Sequence, residues 1–170
     1  MKRLTLVRHA NADWKDVSVA DFDRPLNKRG FSEAEAIAKS LVEAALVPDL
    51  MLASTARRAQ QTAEILGRRM DLLPRHMKSA EHLYLARPDD ILTLVRATGP
   101  RIQHLIIVGH NPGISELAKL LGPVNVSITE LGTAAACSLT FTVRNWPSIA
   151  PPAANAGQYA PPSKLFGLFA

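Results

Sequence analysis

Short apolar runs punctuate the chain, and each gives way to polar residues. Leu4–Val7, Leu50–Ala53 and His104–Val108 are continuous rather than alternating, as expected of strands covered on both faces. Ser138–Val143 alternates and reads as a later strand. Between these runs the apolar spacing is helical. Phe31, Ala34, Ile37, Ala38, Leu41 and Ala45 share one face and predict a helix over 27–45, with Asn27 as N-cap and Pro48 as the stop. Ala59, Thr62, Ala63 and Leu66 mark a second helix over 56–70, capped by Ser54 or Thr55. Pro88 opens a third helix to about Thr98, with Ile91, Leu94 and Val95 inward, and a fourth covers 114–121. Ala80–Tyr84 reads as a short extended piece.

Strands that alternate with helices predict an α/β fold, a three-layer α/β/α sandwich on a mostly parallel sheet, spanning 1–170 as one domain. The segment 145–163 is rich in Pro and Ala without an apolar period and reads as an irregular surface excursion. The terminal KLFGLF (164–169) reads as a returning edge strand.

Composition narrows the picture. Hydrophobic residues at 47% against 21% charged fit a globular chain and not a disordered one. No apolar stretch approaches the length of a membrane span, so no membrane partner is expected. The apolar run after Lys2-Arg3 is too short for a signal peptide, and a cytoplasmic location is the expectation. The net charge of +5 raises nucleic acid as a partner, but the basic residues are scattered and aromatics are 5%, so none is expected. An anionic small target suits the same charge. Cys137 is the one cysteine, which excludes an internal disulfide and a multi-cysteine zinc site; its strand-like surroundings predict a buried core residue.

The chemistry collects where strands stop. The first ends at Arg8-His9, the second at Ser54-Thr55 with Arg57 and Arg58 just beyond, the third at Gly109-His110-Asn111. In an open parallel sheet, ligands bind outside the carboxyl ends of the strands. Parallel strands therefore bring Arg8, His9, Arg58 and His110 together, with helix N-termini adding free N–H groups. Paired guanidinium forks and imidazoles suit a phosphoryl group. They do not suit a metal ion, because the histidines are flanked by cations and lack carboxylate or thiolate companions. His76 and His82 read as exposed. His104, at the far end of its strand, reads as a capping or surface residue.

Together these segments resemble the histidine phosphatase superfamily. RHA (Arg8–Ala10), with Trp14 after it, resembles the Arg-His-Gly signature, with alanine in the glycine's place. DRPLNKRG (Asp23–Gly30) is similar to the segment opening the first helix. STARRAQQTA (Ser54–Ala63) resembles the second motif, with Thr55 where the family has proline. VGHNPGI (Val108–Ile114) resembles the second-histidine motif. The short length, the RHA form and LYLA (Leu83–Ala86) are most similar to the SixA-type phosphohistidine phosphatases. The resemblance implies a phosphoglycerate mutase-like fold and a cofactor-free, metal-independent phosphatase. It makes His9 the nucleophile that becomes phosphorylated, Arg8 and Arg58 the holders of the phosphoryl oxygens, and His110 the residue that completes the pocket. Arg57 falls one residue off the motif and reads as solvated.

The implied substrate is a phosphorylated protein carrying phosphohistidine. A small phosphorylated molecule, such as a sugar or nucleotide phosphate, is the alternative, and a phosphate-binding module without turnover is a third. Lys15, near the entrance, fits either kind of substrate. Many relatives protonate the leaving group with a carboxylic acid; the candidates are Glu81 first, then Asp23 and Asp13. A phosphoramidate leaves as a neutral imidazole and asks less of such an acid than an alkyl phosphate does.

Overall fold

In the computed structural model, residues 1–123, 130–151 and the backbone of 156–160 are described. Strands β1 (Lys2–Arg8), β2 (Leu50–Ser54), β3 (Met77–Ala80), β4 (His104–Gly109), β5 (Ala136–Phe141) and β6 (Ala156–Ala160) form one sheet in the order β3-β2-β4-β1-β5-β6. The β3-β2-β4-β1 portion is parallel, and β5 runs antiparallel to both β1 and β6. The helices are α1 (Lys28–Glu43), α2 (Arg57–Arg69), α3 (Pro88–Arg96) and α4 (Gly113–Leu121).

Strand alternation divides the core in two. Val7, Met51, Ala53, Ile106 and Val108 face α1 and α2; Leu4, Leu6, Leu105, Ile107 and Leu139 face α3 and α4. That gives the three-layer sandwich that the sequence predicts. β4 is buried at every position, which is why its run is continuously apolar. Each fully buried Leu or Ile contributes about 1.5–3 kcal/mol, and these two clusters supply the main folding drive. Cys137 belongs to the α3/α4 core.

Helix α1 starts as its sequence indicates: the Asn27 side chain accepts from the Gly30 N–H at 2.8 Å. Phe31 departs from expectation and is 44% exposed, while Ala45 lies past the helix at φ 55° and is exposed. The first turn of α1 packs through Gly30 onto the Asn11 carbonyl, so closely that a Cβ would come within 2.0 Å of it. A loop, not the sheet, lies under that turn. Helix α2 has Ala56 at its N-cap position with no side-chain cap; Ser54 and Thr55 do not serve.

Other expectations are corrected. The extended piece at Ala80–Tyr84 is instead the end of β3 followed by a 3-10 turn, Glu81–Leu83, closed by Tyr84 N–H donating to the Glu81 carbonyl. The 145–163 segment is not a mere surface excursion. Trp146 and Ile149 are fully buried against α3 and α4, and 156–160 form β6. The Trp146 indole donates to the Ile102 carbonyl at 2.9 Å, and the buried Lys2 ammonium lies 5.6 Å from its ring. The expected edge strand at 164–169 lies outside the described residues.

Candidate active site

Because β2, β4 and β1 are adjacent and parallel, their carboxyl ends open on one edge of the sheet. His9 follows β1, and its N–H donates to the Gly109 carbonyl at 3.0 Å. His110 follows β4, and Arg58 lies in the first turn of α2. The His9 and His110 ring centroids are 5.0 Å apart. His9 is 8% exposed, and Arg58 and His110 are each 3% exposed.

Hydrogen bonds fix the roles of the ring nitrogens. His9 Nδ1 donates to the Ala10 carbonyl at 2.8 Å, which leaves Nε2 with its lone pair. Arg58 Nε donates toward that lone pair at 3.2 Å. In His110, Nε2 donates to Ser54 Oγ at 2.7 Å, while Nδ1 accepts from Arg58 Nη2 at 3.4 Å. The backbone past His9 is anchored to the helix that carries Arg58. Ala10 N–H donates to Thr62 Oγ1 at 3.0 Å, and Thr62 Oγ1 donates to the Arg58 carbonyl at 2.7 Å. Arg8 is held by Nη1 donating to the Leu131 carbonyl at 2.9 Å. Its Nε is buried and has no partner among the described residues.

Burial first, and then the Arg58 and Arg8 charges, push the His9 pKa down to about 4, against the Ala10 hydrogen bond that raises it. Burial, His9 and Arg58 push His110 down to about 3. Both imidazoles are therefore neutral near pH 7. That suits His9 as a nucleophile. His110 is neutral near pH 7, so any proton it lends to a phosphoryl oxygen has to be acquired as the anion arrives.

Asp21, Tyr84, Ser54 and Thr62 complete the constellation, and sequence reasoning assigned none of them to it. Asp21 lies on a 3-10 turn, Asp21–Asp23, in the loop after β1. Its carbonyl accepts from Arg58 Nη1 at 2.5 Å, and its Oδ2 accepts from Arg58 Nη2 at 2.9 Å and from the Tyr84 hydroxyl at 2.7 Å. Burial raises the Asp21 pKa, but the Tyr84 and Arg58 hydrogen bonds outweigh it and leave the carboxyl below its usual range. The Tyr84 ring stands edge-on to His110 at 5.5 Å and to Phe22 at 5.1 Å. Three acidic residues share this loop with Asp21, so no spacing singled it out.

The proton-donor candidates lie elsewhere. Glu81 is exposed on the 3-10 turn after β3, and its carboxylate has no hydrogen bond among the described residues. It lines a groove of about 590 Å3 that also touches Tyr84, Leu85 and Asp90. Asp13 is spent on a local turn, accepting from Lys15 N–H at 2.9 Å, and Asp23 is exposed. Lys15 and Arg57 are exposed, and Trp14 is exposed beneath the Arg24 guanidinium. His82 is exposed and His76 half-buried. His104, read as a capping or surface residue, is buried instead. The α1–β2 connection covers the start of β4: His104 Nδ1 donates to the Val47 carbonyl at 3.1 Å, and Nε2 lies 2.9 Å from Thr5 Oγ1.

Comparison with known proteins agrees with this architecture. Residues 4–81 match the model of the histidine phosphatase superfamily, branch 1. An uncharacterized protein of Mycobacterium tuberculosis is 38% identical over 120 residues, which is 70% of this chain and 72% of that protein. An uncharacterized chloroplastic protein of Arabidopsis thaliana is 30% identical over 142 residues, 75% of this chain; the match spans 62% of the plant protein's length. Among solved structures, the Agrobacterium tumefaciens protein assigned as the phosphohistidine phosphatase SixA superposes with a TM-score of 0.72 at 32% identity, covering 81% of this chain and 91% of that one. A tungstate complex of the protein histidine phosphatase SixA has the same fold, with a TM-score of 0.77 at 22% identity over 94% of this chain and 97% of that one. The chain belongs to the histidine phosphatase superfamily, branch 1.

Proposed function

We propose that the protein is a phosphatase that works through a phosphohistidine enzyme intermediate and removes phosphate from phosphohistidine on a signalling protein. The observation that carries this reading is the His9 ring: Nδ1 is committed to the Ala10 carbonyl, and Nε2 is left unprotonated, accepting only from Arg58 Nε, beside His110. A site that only binds phosphate has no need of a neutral imidazole held in this tautomer.

In the proposed reaction, His9 Nε2 attacks phosphorus as the bond to the substrate's imidazole nitrogen breaks, and that nitrogen takes a proton from solvent. Water then attacks the phosphohistidine, releasing phosphate and restoring His9. Arg8 and Arg58 neutralise the phosphoryl oxygens in both steps, the electrostatic work on which phosphoryl transfer depends. The carboxylate bound in this pocket, Asp21, is ion-paired and held ionised, so it is a poor proton donor. That favours a phosphoramidate over an alkyl ester, because an imidazole leaves with less acid assistance than an alkoxide does.

Two measurements test the reading. Rapid quench with labelled substrate is expected to trap an acid-labile enzyme phosphate in the wild type and none in His9→Ala. A panel of phosphohistidine peptides, sugar phosphates and nucleotides, with and without chelator, is expected to show the highest kcat/KM for the peptides. A strong preference for sugar phosphates or nucleotides would replace the substrate assignment and leave the mechanism standing.

A further inference from the structure

The guanidinium of Arg58 is gripped on one side and presented on the other. Its Nε and one Nη2 N–H point at the imidazoles, reaching His9 Nε2 at 3.2 Å and His110 Nδ1 at 3.4 Å. Its Nη1 and the second Nη2 N–H are taken by Asp21, through the main-chain carbonyl at 2.5 Å and Oδ2 at 2.9 Å. Asp21 is fixed in turn: the Tyr84 hydroxyl donates to the same Oδ2 at 2.7 Å, and the Tyr84 ring is wedged between Phe22 and His110. A single loop residue thus meets a two-donor edge of the arginine with two acceptors.

We infer that Asp21, held by Tyr84, is a positioning residue that aims the inner edge of Arg58 at the phosphoryl group. When a phosphoryl group enters between the imidazoles, the Nε and inner Nη2 donors transfer from ring nitrogens to phosphoryl oxygens. The outer edge stays on Asp21, so the guanidinium does not swing. A long side chain kept in one rotamer before binding loses less entropy on binding. Nothing in this role requires Asp21 to exchange a proton. Glu35 offers a contrast: it bridges Arg68 and Arg69 on an exposed helix surface, and among the described residues no hydroxyl fixes its carboxylate as Tyr84 fixes Asp21.

The inference rests on the reading of Arg58 as a phosphoryl ligand, and two substitutions isolate it. Asp21→Asn and Asp21→Ala both remove the negative charge, but the asparagine amide oxygen still accepts from Nη2. Titration with inorganic phosphate compares the variants without requiring turnover. The expected result is affinity at least about tenfold weaker in Asp21→Ala than in Asp21→Asn, with kcat/KM in the same order and unfolding temperatures alike. Tyr84→Phe, which keeps the ring and loses the hydroxyl, is expected to weaken phosphate binding in the same direction by a smaller factor. Equal phosphate affinities in Asp21→Asn and Asp21→Ala would overturn the positioning role. A wild type that binds phosphate in this pattern but turns over no phosphorylated substrate would instead refute the phosphatase reading and leave the aiming of Arg58 intact.

Discussion

Strand β4 carries a buried histidine near each end, and the two environments differ in what meets the ring. His104 begins the strand, and His110 follows its last residue. Burial lowers both pKa values, to about 4 and about 3. The His104 ring hydrogen-bonds to neutral groups, the Val47 carbonyl and the Thr5 hydroxyl, while Asp49 binds its main-chain N–H and Arg3 stands nearby, the two acting on its charge in opposite directions. His110 and its neighbour His9 face a guanidinium held in place by other residues. A depressed histidine pKa therefore does not identify a reactive site. A fixed cation beside an available lone pair does, since it supplies a place for an anion to react.

The largest expected effect breaks the comparison at its strongest point. His9→Ala should lower kcat by about 10³-fold or more, because it removes the atom proposed to attack phosphorus. The variant should still fold, with a stability loss of roughly 1–3 kcal/mol as the buried Ala10 carbonyl loses its partner. His104→Ala should share only that second effect, keeping kcat within about threefold while losing roughly 1–3 kcal/mol of stability as Thr5 and Val47 lose a buried partner. Steady-state kinetics and urea denaturation on both variants decide the matter. Comparable kinetic losses in the two would show that the sheet's two edges are not separable.

Next in size is Arg58→Lys. The charge remains, but one ammonium cannot serve the imidazoles and Asp21 at once. The expected loss in kcat/KM is about 10²–10³-fold, the usual magnitude for removing a preorganised donor from a transition-state pocket. Near wild-type activity would mean that bulk positive charge suffices and the double-edged grip is incidental.

How much of this was visible in the sequence follows from physical range. Strands β1, β2 and β4 were legible because burial in the sheet's centre favours unbroken apolar runs, as in Leu105–Val108, whereas β3, the half-exposed Met77–Ala80, carries no such run. The meeting of His9, Arg58 and His110 was legible because strand direction decides which ends meet. Asp21 was not, since its place depends on the path of the loop between β1 and α1, where Asp13, Asp16 and Asp23 have the same composition and different surroundings. Ser54 looked like a helix cap, and only the adjacency of β2 and β4 gives its hydroxyl to His110. Trp146 went unrecognised because a lone buried aromatic in a Pro-rich stretch has no period to detect.

A pH series sharpens the contrast without mutating the pocket. The native His104 pKa of about 4 lies below its ordinary 6.5, so the unfolded chain binds more protons between those values. Stability should rise with pH across that window and fall as pH drops from about 6.5 toward 4, by on the order of 3 kcal/mol from His104 alone. His9 and His110 add to the slope in the same direction. Urea unfolding at steps between pH 7 and 5 avoids most carboxylate titration. His104→Gln should show a shallower slope there, and an unchanged slope would mean that His104 titrates alike in the folded and unfolded chain.

The smallest expected effect concerns Glu81. Its carboxylate is exposed and makes no hydrogen bond among the described residues, whereas Tyr84, on the same connection, reaches Asp21 and His110. A phosphoramidate whose leaving imidazole takes its proton from solvent gains little from a carboxylic acid at the groove's edge. Glu81→Gln should therefore change kcat on a phosphohistidine peptide by less than about twofold, within the range of an exposed substitution. The same variant assayed on an alkyl phosphate is the sensitive arm, because an alkoxide needs a proton as it departs. A loss confined to the alkyl ester would make Glu81 its proton donor, reached only when that substrate is bound. A loss of tenfold or more on both substrates would place the acid in the main reaction, and solvent protonation of the leaving imidazole would then be wrong.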